Sequence, residues 1–190
     1  MGSIRVGAGR QRGVTLLELL VVTAVLSIVL GLGLPAMGQW VDSVRMGTLV
    51  RAFHTDLQLT RSEAIRRGER VVLCAADGPS SCSSAPGWHQ GWLMFVDTNN
   101  NAWLDDGEAV LRYHGPAPAG WSLSGNQPVR RFVSYDALGS TRLVSGAFQA
   151  GSVYFCREGG TGASPMPRRV AIASTGRPRV EVENDRSVCR

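Results

Sequence analysis

Residues 14–34 read VTLLELLVVTAVLSIVLGLGL, a run of 21 positions in which Glu18 is the only charged residue. A helix of this length extends about 30 Å, which matches the hydrocarbon thickness of a lipid bilayer. The 13 residues before it contain three arginines and no acidic residue, which favours a cytoplasmic N-terminus. The stretch therefore predicts one transmembrane helix near the start of the chain, with the remainder of the protein beyond the membrane.

The order of the N-terminal features distinguishes this helix from a secretory signal. A secretory signal carries its small-residue cleavage site after the apolar stretch, whereas Gly13 precedes it. Cleavage after Gly13 would remove residues 1–13 as a leader and leave the helix on the mature protein, beginning at Val14. Glu18 could then pair with the α-amino group of a neighbouring subunit, which would offset the cost of a carboxylate in an apolar span. The alternative is that Glu18 only complements the dipole at the helix N-terminus.

The helical pattern continues beyond the apolar stretch. From Pro35 to Ala64 apolar residues recur mostly at spacings of three to five, with arginines and carboxylates between them. Arg66 and Arg67 followed by Gly68 are typical of a helix C-terminus. We therefore predict one helix of about fifty residues, with residues 14–34 as its membrane half and residues 35–68 as its amphipathic half.

The remainder, residues 69–190, has the pattern of a β-rich head. Short β-prone runs alternate there with Gly, Pro, Asn and Ser. Their hairpin-like spacing predicts an antiparallel sheet or sandwich packed on the helix, which is an α+β architecture. The predicted strands lie near residues 70–75, 92–97, 109–113, 121–124, 129–134, 152–156, 168–173 and 179–182.

Four cysteines, Cys74, Cys82, Cys156 and Cys189, lie in this head. No C-x-x-C spacing or neighbouring histidine indicates a zinc site, and an even count beyond a membrane segment favours disulfides. We favour the local pairs Cys74–Cys82 and Cys156–Cys189, although four cysteines allow three pairings.

The segment RGVTLLELL, Arg12 to Leu20, resembles the type III signal of type IV pilins and pseudopilins. The resemblance implies that a prepilin peptidase cuts after Gly13 and N-methylates Val14. It assigns Glu18 to assembly with other pilin subunits and Pro35 to a helix kink. It also implies a single-pass protein of the bacterial inner membrane, with a periplasmic head that later joins a pilus at the cell surface. Many pilins begin with phenylalanine rather than valine, and an ordinary single-pass anchor is the alternative.

A second resemblance lies in the head. The segment GWLMFVDTNNNAWLDDGE, Gly91 to Glu108, is similar to the GspH/FimT branch of pseudopilins. Its polar residues also match most ligand positions of a calcium-binding loop, although Ala102 stands where the sharp turn needs glycine. A polar turn between strands is the simpler interpretation, and we expect no metal and no cofactor. The residues at the calcium-loop positions are Asp97, Asn99, Asn101, Asp105 and Glu108.

The sequence gives no indication of catalysis. Its three histidines, His54, His89 and His114, are scattered, and no nucleophile elbow, phosphate-binding loop or metalloprotease motif is present. We therefore expect a protein that is not an enzyme.

All 20 basic residues are arginine, and the C-terminal region is rich in them. Within Gly176-Arg177-Pro178-Arg179, two guanidinium groups stand two positions apart, so on an extended strand both could contact successive phosphates. Gly176 would let the main chain approach closely and Pro178 would stiffen the segment. The alternative is a solvated hairpin with ordinary surface arginines.

This G-R-x-R element resembles the DNA-binding signature of the FimT group, minor pilins of natural transformation. Gly176, Arg177 and Arg179 match it directly, and Arg168, Arg169 and Arg186 add nearby charge. The resemblance implies a minor type IV pilin that binds double-stranded DNA through backbone phosphates. A minor pseudopilin of a type II secretion system, similar to GspH and purely structural, is the alternative. A pilus-priming subunit whose partners are only other pilins is a third possibility.

Overall fold

A long helix, α1, opens the described part of the chain. The computed structural model describes residues 13–159 and 164–189. Helix α1 spans Leu16–Arg67, close to the predicted bounds. At its start, the hydroxyl of Thr15 accepts the backbone N–H of Glu18 at 3.2 Å. At its end, Gly68 takes a left-handed conformation, with φ 69°, and donates its N–H to the Ala64 carbonyl.

The chain divides into two compact units, Met1–Trp40 and Val41–Arg190. In the first unit the hydroxyls of Thr23 and Ser27 donate to helix carbonyls, so both of these donors are satisfied within the helix. Helix α1 includes position 35, and a kink at Pro35 stays a prediction. Within the described residues no helix is both long and apolar enough to cross a membrane.

Among the residues that the structure describes, nine strands in two antiparallel sheets form the β-rich part of the second unit. In the first sheet β1 is central: β3 and then β4 lie on one side of it, and β2 and β6 both pair along the other. The second sheet has the order β5-β7-β8-β9. The predicted α+β architecture is confirmed. The strands are β1 (Val71–Gly78), β2 (Ser81–Cys82), β3 (Trp92–Val96), β4 (Val110–His114), β5 (Trp121–Gly125), β6 (Phe132–Tyr135), β7 (Gly151–Arg157), β8 (Arg168–Ile172) and β9 (Pro178–Val182).

Two details of the strands differ from prediction. The two-residue strand β2 was not predicted, because it contains too few residues to show an alternating pattern. The predicted strand 129–134 begins only at Phe132, since Gln127–Val129 forms a 3-10 turn with proline in its first turn.

The core of the head forms where α1 meets both sheets. Phe53 is fully buried and makes edge-on ring contacts with Trp88, Trp92 and Phe155, at centroid distances of 5.0, 5.2 and 5.6 Å. Beside it the buried carboxylate of Asp56 accepts the Trp92 indole N–H at 2.8 Å. These contacts fix α1 against strands of both sheets and so position the edge strand β9 alongside the helix.

Two disulfides fasten the head. Cys74–Cys82 joins β1 to β2, and Cys156–Cys189 joins β7 to the C-terminal 3-10 helix, Arg186–Cys189. These are the local pairs that the sequence favoured. The second bridge closes a loop of 33 residues and holds the segment that follows β9.

Candidate nucleic-acid interface

The G-R-x-R element lies in the hairpin that joins β8 to β9. Gly176 donates its N–H to the Ala173 carbonyl at 2.8 Å, and Ala173 donates to the Arg177 carbonyl at 3.4 Å. This pattern, with Gly176 at φ 79° in the last turn position, is a three-residue hairpin loop that requires a left-handed residue. Glycine therefore occupies position 176 for the turn itself.

Among the described residues of the head, the same five-residue turn occurs twice more. Asp136–Ser140 and Leu143–Ala147 show the same two hydrogen bonds, with Gly139 at φ 74° and Gly146 at φ 83°. Gly176 is buried, and a Cβ there would collide with the carbonyl oxygen of Gly139. The sequence predicted that Gly176 lets the main chain approach a ligand closely; in the structure the absence of its side chain allows the contact between the two turns.

A buried hydroxyl braces this contact. Thr141 follows the Gly139 turn, and its side chain donates to the Gln149 carbonyl and lies 3.0 Å from the Ala173 carbonyl. Its N–H also donates to the Ser174 carbonyl at 3.2 Å. Gln149 in turn accepts the Ser134 N–H and donates to the carbonyls of Pro128 and Phe132. The sequence analysis missed both residues, since an isolated polar residue in a loop carries no pattern.

Arg177 and Arg179 lie on either side of Pro178 but differ in placement. Strand β9 begins at Pro178, so Arg177 lies at the end of the turn, where its carbonyl accepts the Ala173 N–H. Arg177 and Pro178 line a hollow beside α1, whereas Arg179 stands opposite Ala171 in the β8–β9 register. Both arginines are exposed, and neither forms an ion pair with any residue that the structure describes.

The three neighbouring arginines are not equivalent. Arg169 forms ion pairs with Glu181 and, at 3.9 Å, with Glu183, and the bond to Glu181 raises the pKa of Arg169. Arg186 donates to the Ser164 carbonyl at 2.8 Å. Arg168 is half-buried, has no ion pair within the described ranges, and lines a hollow next to α1. Of these three, Arg168 retains a charge that the protein does not already use.

In the acidic loop between β3 and β4, the carboxylates accept hydrogen bonds from groups of the loop itself. The Asp97 carboxylate accepts the N–H groups of Asn101 and Ala102, at 3.1 and 2.9 Å. Asp105 accepts both Asn99 and Asn101 side-chain amides, which lower its pKa. Glu108 accepts the N–H groups of Thr98 and Asp105. In the part of the chain that the structure describes, no three His, Cys, Asp or Glu side chains converge for a metal, and the loop has the bonds of a polar turn.

Burial has a further effect on Asp97. It raises the pKa of this carboxyl group, against the lowering effect of the two backbone bonds. Ala102, at the position where a calcium loop requires glycine, has φ 58° and is buried in an apolar cluster with Val72, Leu93 and Phe95. The loop therefore has the left-handed turn without the glycine.

At the other end of the chain, the residues predicted to act in processing lie at the start of α1. Gly13 and Val14 precede the helix and Glu18 lies in its first turn, all three exposed. The rest of the predicted leader lies outside the described residues. The geometry leaves the bond after Gly13 outside regular secondary structure.

Comparison with known proteins identifies two segments. Residues 49–176, more than half of the chain, match the family model described as Type II transport protein GspH. Residues 9–34 match the prokaryotic N-terminal methylation motif. The first match ends at Gly176, so Arg177 and Arg179 lie immediately beyond it.

A curated relative and two solved structures are also similar. The pilin-like protein PilA1 of Thermus thermophilus is 37% identical over 104 residues, which are 55% of this chain and 60% of that protein. The match thus spans less than two thirds of that relative.

The type IV minor pilin FimU of Pseudomonas aeruginosa has TM-score 0.55 and 19% identity, covering 76% of this chain and 92% of that chain. The minor pseudopilin EpsH of the Vibrio cholerae type 2 secretion system has TM-score 0.51 and 12% identity, covering 74% and 99%. At these identities the two structures establish the shared fold.

Proposed function

The chain belongs to the GspH family of type II transport proteins, a family of minor pilins and pseudopilins, and we propose that it is a minor type IV pilin that binds DNA during uptake for natural transformation. Its filament role follows from the N-terminal segment and its DNA role from the β8–β9 hairpin. The two roles rest on different residues and are tested separately.

The N-terminal segment supports processing and assembly. A prepilin peptidase cuts after Gly13 and methylates Val14, as the methylation motif over residues 9–34 suggests. Before assembly the apolar run 14–34 anchors the protein in the inner membrane with its head in the periplasm. In the filament Glu18 pairs with the α-amino group of a neighbouring pilin subunit. Mass spectrometry of the mature protein should find an N-terminal Val14 carrying one methyl group, and a Gly13→Ala variant should retain its leader.

One observation carries the DNA role: Arg177 and Arg179 are exposed on an edge hairpin and have no carboxylate partner among the described residues. Exposed guanidinium groups that are not neutralised bind phosphates by charge and by paired hydrogen bonds. Such contacts carry little sequence preference and weaken steeply with salt. Arg168 contributes in the same way. Arg186 contributes a charge whose guanidinium also donates to the Ser164 carbonyl. Arg169 contributes less, because Glu181 already neutralises it.

The test is a mobility shift with double-stranded DNA of mixed sequence. The segment Val41–Arg190 is suitable because it contains every buried core residue found among the described residues and both disulfides. Binding should weaken with salt, and Arg177→Ala with Arg179→Ala should remove most of it. The matched control is Arg66→Ala with Arg67→Ala, which also removes two arginines, but from a pair that Glu63 already engages.

Retained binding in the Arg177→Ala, Arg179→Ala protein would overturn the assignment of these residues. A parent protein without salt-sensitive binding would favour the second candidate, a structural minor pseudopilin of a type II secretion system. That candidate is supported by the GspH match itself.

A further inference from the structure

Two hollows lie in line along the boundary between α1 and the β8–β9 hairpin. One is lined by Gln58, Arg61, Ser62 and Ile65 of α1 together with Arg177 and Pro178. The other lies between Met46, Val50 and Arg51 of α1 and Arg168, Val180 and Val182 of the sheet, among others. Between them the imidazole Nε2 of His54 lies 3.4 Å from the Pro178 carbonyl oxygen. We call the boundary that contains both hollows the α1–β9 seam.

The helix presents one face to the seam. Arg51, His54, Gln58 and Arg61 follow each other at spacings of three or four, which places them in one row on a helix. Ten residues separate Arg51 from Arg61, which corresponds to about 15 Å along the axis. A DNA strand winds around its duplex, so its successive phosphates are farther apart than the axial rise of about 3.4 Å, and this length can face about three of them.

The charge of the seam is of one sign. Four arginines line it, Arg51 and Arg61 from the helix and Arg168 and Arg177 from the hairpin, and none of the described residues lining either hollow is acidic. Of the four, Arg61 is held in place, because its Nε donates to the Gly139 carbonyl at 2.9 Å. A guanidinium that is already oriented loses less side-chain freedom when it binds an anion.

From this arrangement we infer that a DNA backbone lies along the α1–β9 seam, with Arg51 and Arg61 as phosphate contacts that no sequence motif marks. The inference rests on the proposed DNA role and adds a path for the strand. No Phe, Tyr or Trp is among the described residues that line the two hollows. The contacts are therefore with phosphate and sugar and do not include base stacking.

The experiment measures DNA affinity of the full-length chain in a non-ionic detergent as a function of salt. Each phosphate contact adds about 0.9 to the slope of log binding constant against log salt. Arg51→Gln and Arg61→Gln should each lower this slope by about one, as expected for a lost phosphate contact. The matched control is Arg45→Gln, since Arg45 is exposed on α1 but lines neither hollow, and its slope should stay that of the parent.

A second pair of variants tests the seam while leaving intact the hydrogen bond from Arg61 to the Gly139 carbonyl. Gln58 is exposed and lines the seam, so Gln58→Glu places a carboxylate on the path without removing that bond. Gln58→Glu should weaken binding several-fold, while Gln58→Ala should leave it within twofold of the parent.

The outcomes separate the two proposals. In one outcome the parent binds DNA through Arg177 and Arg179, but the three seam variants Arg51→Gln, Arg61→Gln and Gln58→Glu all behave like Arg45→Gln. In that case the proposed path along the seam is wrong and the DNA role stands. If the parent does not bind DNA, both fail. Slopes reduced at Arg51 and Arg61 but unchanged at Arg45 support the seam.

Discussion

The acidic loop, residues 97–108, and the basic β8–β9 hairpin are both polar connections between strands of the head, yet they use their charges in opposite ways. Asp97, Asp105 and Glu108 accept hydrogen bonds from their own loop. Arg177 and Arg179 have no ionic partner among the described residues. The carboxylates of the loop stabilise the loop's own conformation, whereas the two arginines of the hairpin remain available to bind a ligand.

This difference shows why a cluster of charges in a sequence does not by itself locate a binding site. Both segments offered a ligand from the sequence, calcium for one and DNA for the other. The structure separates them by the partners of each group: the carboxylates of the loop accept hydrogen bonds from the loop itself, whereas Arg177 and Arg179 have no ion-pair partner among the described residues.

The largest effect is expected at Gly176, whose conformation holds the hairpin in place. Gly176→Ala should cost about 2–4 kcal/mol of unfolding free energy, because it adds left-handed strain and a collision with Gly139. Gly146→Ala is the matched control: it has the same turn and φ 83°, but open space around its Cβ position, so only the strain of about 1 kcal/mol remains. Urea denaturation measures both. Equal costs would show that the contact between the two turns contributes nothing.

The next effect tests the claim that the acidic loop holds itself together. Asp97→Ala should destabilise the head by about 2 kcal/mol, because the buried Ala102 N–H loses its acceptor and the Asn101 N–H keeps only the Asn99 side-chain oxygen. Asp97→Asn keeps one acceptor oxygen and should cost about half as much. Denaturation monitored by tryptophan fluorescence gives the two values. DNA affinity should not change in either variant, and a change would mean that the two regions are coupled.

A smaller effect compares two arginines on the same strand pair. Arg179→Gln should lower the salt slope of DNA binding by about one, since it removes a free phosphate contact. Arg169→Gln should lower it much less, because Glu181 and Glu183 already pair with Arg169. Fluorescence anisotropy at several salt concentrations measures both slopes. Equal slopes in the two variants would contradict the importance of ion pairing within the hairpin.

The smallest effect concerns pH. The Asn99 and Asn101 amides lower the pKa of Asp105 from its ordinary 3.8. The stability that this carboxylate provides is therefore complete above that value and lost as the pH falls through the lower folded pKa. Burial raises the pKa of Asp97. The cost of desolvating this carboxylate is therefore present above the raised folded pKa, and it is relieved as the pH falls through that value. Thermal melts of Asp105→Asn should differ from the parent at neutral pH and converge with it at strongly acidic pH. A difference that is constant with pH would exclude an ionic contribution.

Most of the fold could be predicted from the sequence because its signals are local. The spacing of apolar residues and the Arg-Arg-Gly ending gave α1 to within a few residues, and turn residues bounded most strands. The order of the strands depends on long-range pairing, such as β6 joining β1 across sixty residues, and no local pattern encodes it.

The candidate site was predictable only in part. The motif identified Arg177 and Arg179, but Arg51, Arg61 and Gln58 are more than a hundred residues away in the chain and resemble any solvated helix face. The structural role of Gly176 likewise depends on a distant partner, Gly139. Contacts between segments that are distant in the chain determine which arginines form ion pairs. Composition alone does not predict these pairs.

Pro178 at the start of the edge strand β9 has a consequence for solubility. The bonds of Arg177 and Glu183 to β8 place the backbone groups of Pro178, Val180 and Val182 on the open side of the strand. An open edge of this kind can pair with the edge of another molecule and seed aggregation. Pro178 has no N–H, its carbonyl lies next to His54, and charged Arg177 and Arg179 flank it. Pro178 and the two charged residues beside it would therefore also disfavour pairing of this edge with the edge of another head.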